Sequence, residues 1–538
     1  MTTVSELLRA RADDHRPGLL FEDRSWTWAE QVAESCARAS WYAEDRLARG
    51  ATGPAHVGVL LANVPEFAFW LGAAALGRFV VVGLNRTRRG AELAADIRGA
   101  AVDLVVTDQA GLTDLAGLDL GGARSVDTDG LLFPPAGLPT EPARLDDLFL
   151  LIFTSGTTGA PKAVCCSQGK IATQGLGLVM RVGLTQQDIS YVSMPLFHSN
   201  AIIAGWAPSL AVGATVALAR TFSASGFLPD VRRFKATYAN YVGTPLSYLL
   251  AQPEQPDDGD NPLLRVFGNE GAPADLERFA QRFGCTVTDG FGSTEGGISI
   301  SRTPDTPVGA LGRGIGDIRV LAPATGEECP AAEFDSQGRL TNPDTAVGEL
   351  VNLDGPFAFE GYWNAPADTE HRTRGGRYWS GDLGYRDAAG FLYFAGRSLD
   401  RLRVSGENFP AAPVARLLAR HPLVVEAVVY AVPDAVAGDQ VMATVVPLAG
   451  FDPAGFADWV AGQPDASATW VPRYLRVHPE PPRTATGKIL VRQLAAERWD
   501  APGQVWFRTG RETVLQPFHA TDAEELALAF TRSGRPLP

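Results

Sequence analysis

The residues best suited to chemistry lie in a short stretch that is dense in glycine and hydroxyl groups. Residues 154–162 contain four hydroxyl side chains and two glycines, and they end in Pro161 and Lys162. Glycine lets backbone N–H groups approach an anion, hydroxyls donate further hydrogen bonds, and lysine adds a positive charge. In a Walker A loop, Lys and then Ser or Thr directly follow the second glycine, which is not the order here. The stretch therefore predicts a phosphate-binding loop of another type.

The segments around this loop predict an α/β fold. Residues 148–153 are a short apolar run typical of a buried strand. From 56 to 108, apolar strands alternate with helices, which indicates parallel sheets flanked by helices. The alternation resumes after the loop, with a strand predicted at 212–219 and a helix at 275–282. Residues 318–360 are β-like and predict a small β-subdomain within this large N-terminal domain.

The last quarter of the chain predicts a small α+β domain. Strands are predicted near 424–432, 441–446 and 474–477, with a helix near 453–461. Residues beyond 500 have no strong pattern. We interpret them as a tail with a helix near 522–530, and Thr521 is its predicted N-cap.

Bulk composition narrows the class of protein. A chain of 538 residues with 45% hydrophobic and 20% charged residues is typical of a soluble globular protein of two or more domains. The net charge of −14 argues against a nucleic-acid partner. The five cysteines match no metal or redox spacing, so buried reduced thiols and a cytoplasmic location are expected. No signal peptide is evident, and polar residues interrupt the most apolar region, so no membrane span is predicted.

Four further stretches follow the loop in a fixed order. They are Pro-Leu-Phe-His at 195–198, Asp-Gly-Phe-Gly-Ser-Thr-Glu-Gly at 289–296, the pair Tyr-Trp-Ser-Gly-Asp at 378–382 and Gly-Arg-Ser-Leu-Asp at 396–400, and Pro-Arg-Thr-Ala-Thr-Gly-Lys at 482–488. With the phosphate loop, they resemble the adenylate-forming superfamily of acyl-CoA synthetases, luciferases and peptide-synthetase adenylation domains. Stretches at 63–67, 84–89, 268–271 and 405–408 resemble most the fatty-acid-transport-protein type of acyl-CoA synthetase and its actinobacterial relatives.

The resemblance implies ATP and Mg²⁺ as cofactors and assigns the N-terminal part of the site. The β- and γ-phosphates would be held by Thr154, Ser155, Gly156, Thr157, Thr158, Gly159 and Lys162. In the second glycine-rich loop, Glu295 would bind Mg²⁺, Thr294 would touch the α-phosphate, and Phe291 would lie against the adenine, followed by Gly292 and Ser293. Mg²⁺ takes carboxylate and phosphate oxygens, which agrees with the role given to the glutamate.

The remaining roles come from the same resemblance. Asp382 would accept the ribose hydroxyls with help from Arg397, and Lys488 would stabilise charge at the forming bond. His198 either borders the carboxylate of the acid or is a structural histidine. Glu270 either lines the adenine pocket or caps the helix that follows, and Gly271 beside it is a predicted nucleotide-binding residue.

The resemblance also implies a moving C-terminal domain. The predicted limits are 1–397 for the N-terminal domain, 398–400 for the hinge, 401–500 for the mobile domain and 501–538 for the tail. Rotation about the hinge would exchange Lys488, used for adenylation, for the loop at 405–408, used for transfer to CoA.

Two departures from the family pattern bear on the substrate and the pivot. Many relatives carry Asp or Lys where this chain has Leu399. Relatives often carry Ser-His after the phosphate loop, whereas this chain has Ser167 and Gln168. Because that histidine lies near the acyl path in relatives, the second substrate stays open.

The sequence leaves several functions open. The leading one is activation of a fatty or aryl carboxylic acid as its AMP anhydride and transfer to CoA. The alternative is a diazotase that activates nitrite and passes the nitrosyl group to an aryl amine. Two further hypotheses are an acyl-AMP donor to a carrier protein and a non-catalytic scaffold that binds nucleotide. The scaffold is disfavoured because the chain keeps Lys162, Glu295, Asp382 and Lys488. Homodimers occur in the superfamily, so a homodimer is a possible assembly.

Overall fold

The structure is a computed structural model of the 538-residue chain. It describes residues 2–154, 161–242, 245–269, 271, 273–336, 340–397, 401–404, 407–433, 439–463, 466–484, 487–500, 503–509 and 512–532. The chain divides into two compact units, and each is discontinuous in sequence. The first unit comprises Met1–Ser299 and Gly355–Gly376, and the second comprises Ile300–Asp354 and Arg377–Pro538.

The secondary-structure elements of the described residues are numbered in chain order. The α-helices are α1 Val4–Arg9, α2 Trp28–Arg49, α3 Pro65–Gly77, α4 Gly90–Gly99, α5 Gln109–Leu115, α6 Gln168–Val182, α7 Ala207–Val212, α8 Phe227–Phe234, α9 Pro245–Leu250, α10 Pro273–Phe283, α11 Pro343–Ala346, α12 Pro366–Thr373, α13 Ala411–Leu418, α14 Pro453–Ala461, α15 Val491–Glu497 and α16 Ala520–Arg532. The strands are β1 Pro17–Phe21, β2 Arg24–Thr27, β3 His56–Leu60, β4 Val80–Gly83, β5 Leu104–Thr107, β6 Arg124–Asp127, β7 Leu148–Thr154, β8 Lys162–Ser167, β9 Ile189–Val192, β10 Thr215–Leu218, β11 Tyr238–Val242, β12 Arg265–Asn269, β13 Thr286–Gly292, β14 Ser299–Ser301, β15 Arg313–Gly314, β16 Ile318–Leu321, β17 Gly348–Asn352, β18 Tyr378–Arg386, β19 Leu392–Arg397, β20 Arg401–Val404, β21 Glu407–Pro410, β22 Val424–Pro433, β23 Asp439–Pro447, β24 Tyr474–Val477, β25 Gln504–Phe507 and β26 Gln516–Pro517.

Two largely parallel sheets form the first unit, as the alternation of strands and helices predicts. One sheet has the order β6-β5-β3-β4-β7-β8, and only its last pair is antiparallel. In the other, the strands of this unit run β13-β12-β11-β9-β10-β1-β2, parallel from β13 to β1. In a parallel sheet the carboxyl ends of the strands share one edge. Segments that follow β11, β12 and β13 are therefore gathered at one edge.

One predicted strand of the first unit is shorter than expected. The sequence predicts extended chain from 212 to 219, but α7 continues to Val212 and ends at Gly213, whose φ is +74°. Glycine adopts this left-handed conformation without steric cost, so it terminates the helix. The strand β10 begins only at Thr215.

The second unit contains the predicted small β-subdomain and the α+β segment. Strands β16 to β19 form an antiparallel sheet in sequence order. Strands β22 to β26 form a second sheet, in which only the β23–β24 pair is parallel. Helices α13 and α14 contribute Val414, Leu417, Phe456 and Val460 to its buried core.

The C-terminal segment differs from the predicted tail. Strand β25 pairs with β24 and buries Val505, so part of the segment extends the second sheet. The strand joins the sheet by pairing with β24, which is distant in sequence, so no local pattern reveals it. The helix α16 begins at Ala520, so Thr521 lies inside it and is not the N-cap.

The predicted hinge at 398–400 lies outside the described residues. Residues 300–354 and 377–397 group with the residues from 401 onward rather than with the first 299. The compact units thus divide the chain at other positions than the predicted domain limits. None of the helices in the described part of the chain has the length and apolar content that a membrane crossing requires.

Candidate active site

Strand β7 carries the predicted phosphate loop at its carboxyl end. Its residues Phe149 and Leu151 are fully buried, which anchors the strand in the sheet. Strand β8 returns antiparallel, so Thr154 and Lys162 stand opposite each other in register. The predicted loop residues between them lie outside the described residues, namely Ser155, Gly156, Thr157, Thr158 and Gly159. The two ends of the loop meet at a strand edge of the kind at which α/β sheets bind ligands.

A carboxylate holds the ammonium group of Lys162. Its Nζ forms an ion pair with Asp368 of α12. The same Nζ lies 5.4 Å from the centre of the Tyr362 ring. The side chains of Lys162 and Asp368 are 15% and 41% exposed, so the pair is partly open to solvent, and solvated ion pairs contribute only about 0–1 kcal/mol. The lysine can therefore exchange this carboxylate for another anion at small cost.

Residues 361–363 pair with β8 and position Tyr362. Val164 and Tyr362 form an antiparallel bridge. Just before it, the carboxylate of Glu360 accepts hydrogen bonds from N and Oγ of Ser167 at 2.6 and 2.5 Å. The tyrosine ring is thereby fastened beside the strand that begins with the phosphate-loop lysine.

The second glycine-rich loop places Thr294 and Glu295 among partners from distant parts of the chain. Glu295 is 9% exposed, and its Oε1 accepts a hydrogen bond from the hydroxyl of Tyr362 at 3.0 Å. The hydroxyls of Thr294 and Ser199 lie 2.7 Å apart. Burial, and next the negative charge of Glu295, raise the pKa of Tyr362, so this hydroxyl stays protonated and remains a donor.

The other predicted residues of this loop lie at the end of β13. Phe291 is half-buried, and Gly292 is exposed. The carbonyl of Ser293 accepts from the N–H of Gly296 at 3.0 Å, which closes a tight turn around Thr294 and Glu295. Gly296 has a φ of +77°, a value that the turn obtains at no cost only with glycine.

Gly271 lies at the same edge of this sheet. Its N–H donates to Oδ2 of Asp289 at 3.0 Å, and the same oxygen accepts from the hydroxyl of Tyr241 at 2.5 Å. Asn269 Nδ2 donates to the carbonyl of Gly290 at 2.8 Å. Glu270 lies outside the described residues. The segment after β12 is thus tied to β13, next to the predicted adenine position.

His198 lies one residue before the partner of Thr294. Its ring is half-buried and packs against Phe197, with ring centres 4.6 Å apart. A π-helix follows at Ala201–Trp206. Wide turns of this kind occur frequently at functional sites. Because the next residue, Ser199, contacts Thr294, the structure brings His198 close to the second glycine-rich loop.

In the second unit, Asp382 and Arg397 stand opposite each other on β18 and β19. Asp382 is buried, and its N–H donates to Oγ of Ser380 at 3.0 Å. Gly381, just before it, has a φ of +74°, and its N–H donates to Oε1 of Glu349 at 2.6 Å. The side chain of Arg397 is outside the described residues. The predicted ribose-binding pair is thus adjacent in register.

Lys488 is an exposed residue directly after the turn that Thr484 and Gly487 close in the second unit. Its N–H donates to Oγ1 of Thr484 at 3.1 Å, and Thr484 N donates to its carbonyl at 2.7 Å. Arg483 Nη1 donates to the carbonyl of Gly487 at 2.5 Å and to Oε2 of Glu426 at 2.7 Å. The backbone of the turn is braced, while the lysine side chain is exposed.

The described residues of the first unit fit a magnesium ion together with phosphate. Among the described residues, no group of three or more His, Cys, Asp and Glu side chains is placed to hold a metal by itself. Mg²⁺ in nucleotide sites needs one or two carboxylates besides phosphate oxygens and water. Glu295 offers such a carboxylate, and its partner Tyr362 is a neutral hydroxyl that leaves the charge in place.

Gln168, which replaces the histidine of many relatives, has a structural role. It is fully buried, its Nε2 donates to the carbonyl of Ala75 at 3.1 Å, and its Oε1 accepts from the N–H of Ser5 at 3.1 Å. It therefore ties α6 to α1 and α3. Ser199, Tyr362 and Asp368 were not predicted from the sequence, because hydroxyl and carboxylate side chains outside a glycine-rich loop carry no local signal.

Comparison with known proteins assigns the family. The model of the AMP-binding enzyme family matches residues 8–363, and that of the AMP-binding enzyme C-terminal domain matches residues 414–488. The chain belongs to the AMP-binding enzyme family. It is an ATP-dependent, AMP-forming ligase with the adenylate-forming fold, so the predicted fold and enzyme class are confirmed.

Individual relatives cover nearly the whole chain. A medium/long-chain-fatty-acid–CoA ligase of Mycobacterium marinum is 49% identical over 94% of this chain and 98% of its own. A steroid-22-oyl-CoA synthetase of Rhodococcus jostii is 48% identical over 98% and 96%. The structure of the O-succinylbenzoate coenzyme A synthetase of Bacillus subtilis with ATP and a magnesium ion has a TM-score of 0.75 and 27% identity, and covers 91% and 98%. All three are named for coenzyme A ligation, and none is a nitrite-using enzyme.

Proposed function

We propose that this protein is an acyl-CoA synthetase for a large apolar carboxylic acid, either a medium- to long-chain fatty acid or a steroid acid. In the first step a carboxylate oxygen bonds to the α-phosphorus of ATP, and pyrophosphate leaves. In the second step the thiolate sulfur of CoA bonds to the acyl carbon, and AMP leaves with its electron pair. The names of the two relatives at 48–49% identity support this class of acid.

The observation that carries the proposal is the side-chain cluster of the first unit. Lys162 and Glu295 flank Tyr362, which contacts both, and Thr294 lies beside Glu295 with Ser199 as its partner. A cation, a carboxylate and hydroxyls in this arrangement suit a magnesium-bound triphosphate. The relative solved with ATP and a magnesium ion supports the same assignment.

Binding of ATP changes the partner of Lys162 in this proposal. The lysine leaves Asp368 for the β- and γ-phosphates, which carry more negative charge than one carboxylate. Thr154 and the predicted loop residues 155–159 would complete the phosphate contacts. Glu295 holds Mg²⁺, which neutralises phosphate charge when bound, and Thr294 contacts the α-phosphate.

The remaining roles are proposed from their places in the two units. Phe291 and residues 270–271 border the adenine, and His198 borders the acid carboxylate. In the second unit, Asp382 accepts the ribose hydroxyls with help from Arg397. Lys488 stabilises the charge that develops as the acid attacks.

All five cysteines are free thiols, which suits a reducing compartment.

The test measures AMP release by the purified protein with ATP and magnesium. One panel contains CoA with fatty acids of graded length, steroid acids and aryl acids. A second panel contains nitrite with aryl amino acids and no CoA. Release that requires both a fatty or steroid acid and CoA is the expected result. Release that requires nitrite and an amine, with no gain from CoA, overturns the proposal.

A further inference from the structure

Lys170 is a buried lysine that the reaction scheme above does not use. It lies in the first turn of α6 and is only 6% exposed. Lysine is rarely buried this deeply, and a cation at a helix N-terminus faces the positive end of the helix dipole. Neither the usual exposure of lysine nor the helix dipole therefore explains why a lysine is buried at this position. The chain has only four lysines among its 47 Lys and Arg residues, so lysine is the exception at its basic positions.

The ammonium group of Lys170 lies among three backbone carbonyls. Its Nζ is 3.2 Å from the carbonyl oxygen of Glu295, 3.5 Å from that of Thr294 and 3.3 Å from that of Cys165. An ammonium group has three N–H donors that spread from one compact centre, whereas a guanidinium presents a flat fork. Lysine is thus the basic residue whose donors suit three converging carbonyls.

These bonds join the two glycine-rich segments of the first unit. Cys165 belongs to β8, which begins at the phosphate-loop lysine, and Thr294 and Glu295 belong to the turn after β13. The turn is held on its side-chain side by the hydroxyls of Ser199 and Tyr362. Lys170 holds it on the backbone side. Both residues of the turn are therefore fixed at two points.

We propose that Lys170 is a positioning residue that sets the orientation of Thr294 and Glu295 for magnesium-bound ATP. The proposal rests on the proposed function, in which these two side chains bind the α-phosphate and Mg²⁺. Without the ammonium group, two adjacent carbonyls lose a buried donor and the turn rotates to find others. Because positioning errors of about 1 Å can cost about 100-fold in rate, the effect on adenylation is large.

The experiment compares Lys170→Met with Gln168→Leu as a matched control. Gln168 is also polar, buried and in the first turn of α6, but its partners are the backbone of α1 and α3. Thermal unfolding measures the loss of stability in each variant. Calorimetric titration with a non-hydrolysable ATP analogue and magnesium measures binding, and acid-dependent ATP–pyrophosphate exchange measures the first step. Lys170→Gln replaces Lys170→Met should the latter fail to fold.

The expected result is selective for the lysine variant. Lys170→Met weakens binding of the magnesium–analogue complex by about tenfold and slows exchange by about 100-fold, by the positioning argument. Gln168→Leu is destabilised but keeps both values within threefold. Equal losses in the two variants, or wild-type values in Lys170→Met, overturn the positioning role.

A parallel variant separates failure of this proposal from failure of the proposed function. Glu295→Gln removes the proposed magnesium ligand itself. Normal exchange in this variant, or no acid-dependent exchange in the wild-type protein, overturns the proposed function. Impaired Glu295→Gln together with normal Lys170→Met overturns only the role of Lys170.

Discussion

The cluster of Lys162, Glu295 and Tyr362 in the first unit and the turn that carries Lys488 in the second unit are built in opposite ways. In the first unit, Glu295 is buried and its carboxylate is held by Tyr362. In the second unit, the Lys488 side chain is exposed, and the brace from Arg483 acts on the backbone carbonyl of Gly487. In the first unit, hydrogen bonds fix the functional side chain itself. In the second unit, they fix the backbone next to Lys488 and leave its side chain exposed.

This difference suits the two tasks that we propose. Groups that hold Mg²⁺ and phosphate gain from fixed positions, because preorganised groups do not have to reorganise as charge develops. A long, exposed lysine can adjust its position to the reacting atoms. Substitutions in the first region should therefore change both stability and binding, whereas substitution of Lys488 should change chemistry alone.

The largest effect is expected for Lys488→Ala. Loss of an electrostatic stabiliser of this kind typically costs about 100- to 1,000-fold in rate. Thermal unfolding and binding of the ATP analogue should stay unchanged, because the side chain is exposed. Acid-dependent ATP–pyrophosphate exchange is the measurement, with exposed Arg492→Ala as the control. Loss of stability in Lys488→Ala would contradict the contrast between the two regions.

The next effect is expected for Glu295→Gln. Removal of the carboxylate charge should slow exchange about 100-fold and raise the magnesium concentration needed for half-maximal rate. A titration of rate against magnesium checks this. Asp258→Asn is the control, because Asp258 is also a buried carboxylate but pairs with Arg282. An unchanged magnesium requirement in Glu295→Gln would remove Glu295 from the metal site.

A smaller effect is expected for Tyr362→Phe. The change removes the hydroxyl that binds Glu295 but keeps the ring beside Lys162. We expect the exchange rate to fall about tenfold at low magnesium and to recover partly in excess magnesium. A hydrogen bond from a neutral donor to a charged group is worth about 1.5–3 kcal/mol. Tyr191→Phe, which loses a hydroxyl bond to Asp230, is the control. Equal losses at all magnesium concentrations would show that the hydroxyl does not act through the metal site.

The smallest effect is expected for Asp368→Asn. This variant weakens the ion pair that holds Lys162, so the lysine becomes more available to phosphate. Because such a pair is worth about 0–1 kcal/mol, the affinity for the ATP analogue should rise by no more than about fivefold. Titration calorimetry measures it. A fall in affinity would mean that Asp368 supports nucleotide binding rather than competing with it.

Local patterns predicted those parts of the site that depend on neighbouring residues. The strand before the phosphate loop, the second glycine-rich loop at 289–296 and the parallel sheets follow from apolar runs, glycine and strand–helix alternation. Ser199 and Asp368 escaped prediction because the residues that they meet are 95 and 206 positions away. The strand β25 escaped because its place in the sheet depends on pairing with β24, which is distant in sequence.

Gln168 illustrates the limit of comparison by motif. From sequence, its replacement of histidine indicated a change near the acyl path. In the structure it binds the backbone of Ser5 and Ala75, so the substitution contributes to packing of α6. The motif predicted a role near the substrate for this position, whereas the hydrogen bonds of Gln168 show a role in packing.

The sequence by itself predicted a glycine-rich phosphate loop and, through the resemblance to the adenylate-forming superfamily, the activation of an acid with ATP, because the motifs that carry both predictions are contiguous stretches of the chain. The tertiary structure alone decided how their residues are held. Lys170 reaches the carbonyl of Glu295 across 125 positions, and Tyr362 reaches its carboxylate across 67. A hydrogen bond depends on distance in space, and chain folding, not local spacing, brings these groups within 3.2 Å.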